Sequence, residues 1–390
     1  MEMMHIYMKK EMRMEHLENK VKSVYIHIPF CNTICSYCDS CKVYYKTNLI
    51  DSYLDSLSKE LDEYYKGEIL DTIYIGGGTP SCLSIDKLNK LFNIIDKLKR
   101  SKNIEFTFEC NPEDINEELL KLLKSRGVNR LSIGVESFNK DILKILNRRY
   151  DIDIFSKMDI CKKYFDNINI DLMYAIPSEN LDILSNDIDT IIKLDVPHIS
   201  TYSLIINKNT VMYNKNYKNI DDELDYEMYK LIIDKLSKYN YHHYEISNFS
   251  KSGYESKHNL TYWNNEYYYG FGVGASGYVD NIRYDNTRSI TKYISGNYRL
   301  ESNKLSFNET VENEFILGFR KIDGMSIKNF ENRYGFNPRN IDNVKKLVRE
   351  NKLEVNEYNI KINNDYIYTS NNILCEFLGV DYEIEKNRNK

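Results

Sequence analysis

The chain has 390 residues, enough for one large domain and a smaller one, and its hydrophobic fraction of 42% can supply a sizeable core. Its formal net charge of −5, with acidic and basic residues interleaved, does not favour nucleic acid as a partner. It contains no apolar run of roughly 20 residues that could span a bilayer and no signal peptide, so we expect a cytoplasmic protein without a transmembrane segment.

Short β-rich runs alternate with amphipathic helical stretches over the first part of the chain. The predicted strands, rich in Ile, Val, Tyr or Phe and bounded by turn formers, are Val24–Ile28, Thr72–Ile75, Ile104–Glu109, Arg130–Gly134, Asn167–Leu172 and His198–Ser203. The predicted helices, with apolar residues every three or four positions, are Asp51–Tyr65, Ile85–Leu98, Glu117–Leu123, Leu181–Leu194 and Asp221–Leu236. Repeated βα units need parallel strands, which leaves open a doubly wound sheet or a partial (β/α) barrel.

After about residue 290 the pattern changes to helices followed by a small β-wing. The predicted helices are Thr310–Phe319, Ser326–Tyr334 and Arg339–Glu350, and the predicted short strands are Leu353–Val355, Ile360–Ile362 and Ile367–Thr369. We therefore divide the chain into an N-terminal extension (residues 1–21), an α/β domain (22–289) and a small winged-helix-like C-terminal domain (290–390). DNA binding is not favoured, because Asn340–Leu353 has no basic stripe.

Three cysteines lie close together directly after the first predicted strand, at Cys31, Cys35 and Cys38. Thiolates select iron–sulfur clusters, zinc or copper(I). Three such ligands can hold three irons of a [4Fe–4S] cubane and leave the fourth iron open to a chelating small molecule. The alternative is a structural zinc site, but Cys38 and Cys41 form one C-x2-C pair with no second pair downstream. Cys41 is either a spare thiol or a competing ligand.

Other candidate residues also follow strand ends. Gly76–Pro80 comes after the second strand, where glycine lets the backbone approach a ligand, although a tight βα turn would explain it too. Glu109 ends the third strand and could accept hydrogen bonds from a ribose or an amine, or act as a helix N-terminal acid. Arg148 and Asp171 are either pocket walls or an ion pair. Because βα loops build sites at the carboxyl ends of barrel strands, this placement favours the partial barrel.

The spacing of Cys31, Cys35 and Cys38, with Tyr37 in the last gap, resembles the C-x3-C-x2-C signature of the radical S-adenosylmethionine superfamily. In that family S-adenosylmethionine chelates the open iron of the cluster. One electron from the reduced cluster then cleaves a C–S bond of S-adenosylmethionine and gives a 5′-deoxyadenosyl radical. The resemblance implies an α/β fold with a partial (β/α)6-type barrel, and a [4Fe–4S] cluster and S-adenosylmethionine as cofactors. The S-adenosylmethionine-binding residues that it implies are Tyr25, Tyr37, Gly77, Gly78, Thr79, Glu109, Glu136, Arg148 and Asp171.

Several motifs occur in the order found in the anaerobic coproporphyrinogen III oxidase group. They are Tyr25–Cys38, Gly76–Pro80, Glu109–Pro112, Arg130–Phe138, Asn169–Pro177 and Tyr244–Phe249. The oxidase itself has a fourth cysteine where this chain has Ser40. The HemW branch, described as haem chaperones, instead has Asp after the third cysteine, as Asp39 here, and an H-N-x-x-Y-W motif, as His258–Trp263 here. The chain thus resembles the HemW branch.

This resemblance implies further cofactors and partners. We expect haem bound through His258, a haem-acceptor protein of unknown identity, and a flavodoxin- or ferredoxin-type electron donor. The sequence departs from the branch at Ser40, usually Phe, at Glu136, usually Gln, and at Ala175, usually Gly. Glu136 adds a negative charge where the branch usually has a neutral amide. The alternative functions are an oxygen-independent coproporphyrinogen III oxidase, a radical enzyme that modifies haem, and a structural zinc protein.

Overall fold

The computed structural model describes residues 20–149 and 151–388. Residues 1–19, which make up most of the predicted extension, lie outside the described residues. In the first part of the chain the structure forms β1 Ser23–Ile28, β2 Phe30–Cys31, β3 Val43–Tyr44, α1 Thr47–Tyr64, β4 Ile69–Gly77, α2 Ile85–Ile95, β5 Lys99–Cys110, α3 Glu117–Ser125, β6 Arg130–Glu136, α4 Lys140–Ile145, α5 Ile154–Lys162, β7 Asn167–Tyr174, α6 Leu181–Leu194 and β8 His198–Ser203.

The next elements extend the sheet at its two edges. They are α7 Val211–Asn214, α8 Asp222–Ser237, β9 His242–Glu245, β10 Asn248–Ser250, α9 Lys257–Trp263, β11 Tyr268–Phe271, β12 Ser276–Val279, β13 Ile282–Asn286, α10 Ile290–Ile294 and β14 Arg299–Lys304. The chain ends with α11 Phe307–Gly318, β15 Met325–Ser326, α12 Ile327–Tyr334, α13 Asp342–Arg349, β16 Leu353–Val355, β17 Asn359–Ile362, α14 Ser370–Leu374 and α15 Tyr382–Arg388.

The six strands β1, β4, β5, β6, β7 and β8 are the six that the sequence predicts. They are parallel, and each is hydrogen-bonded to the next along the chain. A doubly wound sheet would reverse its strand order at a switch point, whereas this order follows the chain throughout. The prediction of a partial (β/α) barrel is confirmed.

The described residues place further strands at both ends of this barrel sheet. β11 pairs in parallel with β1, and β12, β13 and β14 continue the sheet in antiparallel order. At the opposite edge β10 pairs with β8 and β9 with β10. The sheet therefore runs to Lys304, beyond residue 289, where the sequence analysis places the domain boundary.

The C-terminal part combines helices with a small antiparallel sheet in the order β15, β17, β16. The predicted hairpin is present, but the prediction of a strand at Ile367–Thr369 is wrong. These residues form a bend and turn between a 3-10 helix at Asn364–Tyr366 and α14. Ile367 is still buried, and so short an apolar run satisfies burial equally well in a turn, which periodicity cannot distinguish from a strand.

The inside of the barrel has a polar layer below the site. Asn169 donates from Nδ2 to Ser132 Oγ and to Asp171 Oδ1, both at 2.8 Å. Its Oδ1 lies 2.6 Å from His198 Nδ1. By contrast, Ile133 and Ile170 on the same strands are fully buried in the apolar core. Because each polar group has a partner, the layer can hold its side chains in place without a large burial penalty.

Candidate functional site

A cavity of about 530 Å³ opens at the carboxyl ends of the barrel strands. The cysteine loop after β1 contributes to its wall, as do the carboxyl-terminal parts of β4, β5, β6, β7 and β8 or the loops that follow them. Most of the site residues predicted from the sequence lie in this one cavity. They are Cys31, Cys35, Cys38, Tyr37, Gly77, Gly78, Thr79, Glu109, Glu136, Arg148 and Asp171.

The cysteine loop is held in shape by backbone hydrogen bonds. The amide of Tyr45 donates to the carbonyl of Cys31 at 2.9 Å, which joins β3 to β2. Ser36 is fixed from both sides, because its amide donates to the Leu146 carbonyl at 3.0 Å and its carbonyl accepts from the Met212 amide at 2.9 Å. Asn147 donates to the Ile34 carbonyl at 2.8 Å. The loop therefore presents its thiols from a fixed backbone.

Two of the three thiols accept hydrogen bonds from neighbouring loops. Thr79 donates from Oγ1 to Cys31 Sγ at 3.6 Å, and Arg148 donates from Nη1 to Cys35 Sγ at 3.6 Å. Burial raises the pKa of Cys31 to about 11 and also raises the pKa of Cys35. A bound metal would favour the thiolates that burial disfavours, and the two donors would stabilise sulfur that carries negative charge.

The glycine loop packs too closely for side chains. A Cβ on Gly78 would lie 2.8 Å from the Phe30 carbonyl oxygen and 2.9 Å from Cys31 Sγ. Gly77 has φ of +119°, and a Cβ there would lie 2.7 Å from the His27 ring. The Gly77 amide donates to Glu109 Oε2 at 2.9 Å. Glycine is therefore required both by the close approach to the cysteine loop and by the backbone conformation.

Three carboxylates face the same cavity. Burial, together with the nearby Asp171, raises the pKa of Glu109 to about 7. Burial also raises the pKa of Glu136 to about 7, although Arg148 opposes this shift. The pKa of Asp171 is raised by burial as well. Asp39 and Lys42 also line the cavity, so its described wall holds four acidic side chains against two cations and suits a ligand that carries positive charge.

The alternative of an ion pair between Arg148 and Asp171 does not describe the structure. Arg148 Nη2 lies 3.4 Å from Glu136 Oε1, and its Nη1 donates to Asn111 Oδ1 at 3.1 Å. Asp171 instead accepts from Ser132 and Asn169. Glu136 therefore contacts the guanidinium in the cavity wall, at the position where the branch usually has Gln.

Sequence reasoning missed several residues of the cavity wall. They are Thr33, Asp39, Ser40, Lys42, Tyr74, Cys110, Asn111, Ser132, Gly134, Met173, Tyr202, Ser203, Leu204, Ile205 and Asn207. The last five directly follow the end of the sixth predicted strand or lie within it. The rule that placed Glu109 at a strand's carboxyl end would have found them.

His258 lies outside this cavity and is buried. Its Nδ1 is 2.7 Å from Thr72 Oγ1, and its Nε2 is 2.7 Å from the Tyr262 hydroxyl. The ring of Tyr74 lies over the imidazole, with centroids 5.1 Å apart. Burial lowers the pKa of His258 to about 3, so the ring is neutral. Both nitrogens have partners, and iron ligation through Nε2 would require Tyr262 to leave.

Comparison with known proteins identifies the family. The radical SAM superfamily model matches residues 25–191. The chain is 38% identical to the haem chaperone HemW of Lactococcus lactis over 371 residues, which cover 92% of this chain and 98% of that protein. It is 39% identical to the haem chaperone HemW of Bacillus subtilis over 380 residues, which cover 92% of this chain and 100% of that protein. The chain belongs to the HemW family.

A solved structure supports the fold of this HemW family member. Coproporphyrinogen III oxidase of Escherichia coli superimposes with a TM-score of 0.81, covering 95% of this chain and 93% of that one, at 19% identity. That similarity establishes a shared architecture. Among residues 20–149 and 151–388, none of the helices has both the length and the apolar character to cross a membrane.

Membership of this radical SAM family implies a [4Fe–4S] cluster and S-adenosylmethionine as cofactors. The residues present fit the cluster, because three thiols that could ligate iron line one cavity. Thr79 and Arg148 in the same cavity donate hydrogen bonds to two of these sulfurs. In the part of the chain that the structure describes, no three His, Cys, Asp or Glu side chains converge as they would around a single ion. His27, the histidine nearest to the cysteine loop in the sequence, has its Nε2 2.6 Å from the Cys41 carbonyl oxygen.

Tyr25, predicted to bind S-adenosylmethionine, does not line the cavity that Cys31, Cys35 and Cys38 line, the cluster cavity. It lines a second cavity of about 510 Å³, as do His27, Tyr262 and Trp263. The Tyr25 hydroxyl lies 2.9 Å from His27 Nδ1. Asp39 and Ser40 line both cavities, so the two are neighbours.

Ala175 directly follows β7, at a position where HemW proteins usually have Gly, and it has φ of +62°. Left-handed backbone is costly for alanine and free for glycine. We expect Ala175→Gly to raise the free energy of unfolding by about 1 kcal/mol in urea denaturation. Ala275→Gly is the matched control. Ala275 is buried and its φ is not positive, so this substitution should lower the free energy of unfolding. An Ala175→Gly variant that is less stable than the parent would contradict this reading.

Proposed function

We propose that this protein is a haem chaperone that binds haem, a [4Fe–4S] cluster and S-adenosylmethionine, and passes the haem to an acceptor protein. The observation that carries the proposal is its identity of 38–39% to two haem chaperones over 92% of its length. The proposal includes a flavodoxin- or ferredoxin-type protein as the source of electrons for the cluster.

Cys31, Cys35 and Cys38 are the proposed cluster ligands. They face one cavity from a loop whose backbone is fixed, and Thr79 and Arg148 donate to two of the sulfurs. When bound, the cluster supplies an open iron and one-electron reduction at that iron. The protein keeps the thiols in position and limits their contact with water.

The acidic wall of the same cavity is the proposed S-adenosylmethionine site. This cofactor carries an ammonium group and a sulfonium centre, and both are cations that Glu109 and Asp171 would attract. The amides of Gly77, Gly78 and Thr79 already donate to Glu109 and to the Ile28 and Phe30 carbonyls, so the carbonyls of Gly77 and Gly78 in the cavity wall are the backbone groups that would accept from the ammonium group. Tyr37, Glu136 and Arg148 complete the proposed set on the other side of the cavity.

His258 is the proposed haem ligand. Its contact with Thr72 would hold the imidazole through Nδ1, while Nε2 points to Tyr262, which lines the second cavity. A neutral imidazole is the form that binds haem iron, and burial keeps His258 neutral at physiological pH because its pKa is about 3. Binding would exchange the Tyr262 hydroxyl for iron.

We expect His258→Ala to weaken haem binding by at least about tenfold, because it removes the iron ligand. The measurement is an anaerobic titration of reconstituted protein with haem, followed through the Soret band. His242→Ala is the matched control, since His242 is exposed. Unchanged haem affinity in His258→Ala would remove His258 from the proposal. Turnover of coproporphyrinogen III by the reduced protein would instead favour the oxidase.

A further inference from the structure

The second cavity is not used by the cluster or by S-adenosylmethionine in the function proposed above. It lies where β1 meets β11, and its volume of about 510 Å³ is close to that of the cluster cavity. Helix α11 of the C-terminal part contributes Leu317 to its wall. A cavity of this size between structural units is a common place for a ligand.

Aromatic side chains form much of the wall. Tyr25 and Tyr268 come from the adjacent strands β1 and β11, and Tyr262 and Trp263 end helix α9. The rings of Tyr262 and Tyr268 meet edge to face, with centroids 4.6 Å apart. Such walls suit a flat apolar ligand that has polar groups at its edge.

Two arginines in the wall lack carboxylate partners. Arg283 donates from Nη2 to Asn265 Oδ1 at 3.2 Å, and its guanidinium lies 4.5 Å from the centre of the Tyr278 ring. Arg288 donates from Nη2 to the backbone carbonyl of Asp39 at 2.7 Å. Within the described residues, neither guanidinium lies within 4 Å of a carboxylate oxygen. Two cations at an aromatic cavity therefore remain available to an anionic ligand.

The acidic groups of the wall do not cancel this charge. Glu266 lies near Arg333 and Lys321, which offset its negative charge. The carboxylate of Asp39 accepts a hydrogen bond from Asn207 Nδ2 at 2.7 Å, and Asn207 lines the cluster cavity but not the second cavity. Arg283 and Arg288 are thus the groups of this cavity that best match a ligand with two carboxylates.

We propose that the second cavity seats the haem macrocycle, with Arg283 and Arg288 binding the two propionate carboxylates. This inference rests on the proposed function, in which the protein binds haem. It places the macrocycle against Tyr262, whose hydroxyl holds His258 Nε2. Movement of Tyr262 would then give the iron access to His258. Because Asp39 and Ser40 line both cavities, the haem is next to the cluster site.

The test compares haem with its dimethyl ester, in which both propionates are uncharged. Reconstituted full-length protein is titrated with each under anaerobic conditions, using the Soret band and the fluorescence of Trp263, the single tryptophan of the chain. We expect Arg283→Gln and Arg288→Gln each to weaken haem binding about tenfold, and the double variant to weaken it further. The ester should bind the parent protein about as weakly as haem binds the double variant.

Arg288→Lys keeps the charge and should retain most of the affinity, which separates charge from folding effects. Arg349→Gln, on the distant helix α13, should change nothing. The Arg288 variants lose the hydrogen bond to the Asp39 carbonyl, so their iron content is measured to check that the cluster is still intact. If the parent binds haem and ester equally well, or if the arginine variants bind haem as the parent does, this seat is wrong while the proposed function stands. A parent protein that binds no haem overturns both.

Discussion

Replacing Cys31, Cys35 or Cys38 by serine is expected to reduce the bound iron from about four atoms per chain to near none, with a parallel loss of sulfide. Each thiol lines the cluster cavity, and the fixed loop leaves little freedom for another group to take its place. A serine side chain would have to bind iron as an alkoxide, which is harder and much more basic than a thiolate, so it is a poor substitute at an iron–sulfur cluster. The measurement is iron and sulfide analysis after anaerobic reconstitution, together with electron paramagnetic resonance of the reduced protein.

Two cysteines serve as controls for this result. Cys41 lies three residues beyond Cys38 but lines the second cavity, where its Sγ is 3.4 Å from the Arg288 carbonyl oxygen. Cys375 is exposed in the C-terminal part. Serine at either position should leave the iron content unchanged. Full iron content in a variant that lacks all three cavity thiols would show that the cluster assignment is wrong.

Glu109→Gln is expected to weaken S-adenosylmethionine binding about 10- to 100-fold at pH 8, the range for losing a charge-assisted hydrogen bond in a buried site. The carboxylate accepts from the Tyr74 hydroxyl and the Gly77 amide, both at 2.9 Å, which orients it in the cavity. The glutamine keeps the shape of the side chain and removes its charge. The measurement is calorimetric or equilibrium-dialysis titration of the cluster-loaded protein.

The pH dependence of binding tests the same residue. Because the pKa of Glu109 is about 7, a cationic ligand must displace its proton at lower pH. Protonation of Glu109 therefore lowers the affinity for S-adenosylmethionine by up to tenfold for each pH unit below about 7. Above that pH the carboxylate is ionised, and Glu109 adds no further pH dependence. Glu109→Gln should remove this contribution, and Glu136, whose pKa is also about 7, should leave a weaker remainder. Identical pH profiles for parent and Glu109→Gln would exclude Glu109 as a contact of the cation.

Local patterns predicted much of the fold. The six barrel strands were predicted within a few residues, except that β5 begins at Lys99 rather than near residue 104. The extra residues of β5 are polar and partly exposed, so they carry little β-strand signal. The cysteine loop, the glycine loop and Glu109 were found for a similar reason. Each directly follows a strand, and parallel strands bring their carboxyl ends together.

Contacts between segments that are distant in the sequence could not be predicted from local patterns. The pairing of Arg148 with Glu136 rather than Asp171 depends on how the loops after β6 and α4 cross the cavity. His258 was noticed through its motif, yet its burial against Thr72 on β4 follows from the way helix α9 packs on the barrel. Arg283 and Arg288 are not among the predicted site residues, because no local pattern distinguishes an isolated arginine from a solvated charge.

Whether a feature could be predicted from the sequence depends on how far apart along the chain the interacting residues are. Alternating strands and helices, the spacing of three thiols and the glycine turn are set by neighbours along the chain, so the residue order alone was enough to indicate a barrel with a cluster loop. The second cavity and its two arginines exist only because β11 pairs with β1 and the residues after β13 reach the cysteine loop. These contacts join segments more than 200 residues apart, and only the folded chain decides which cations they leave without a carboxylate partner.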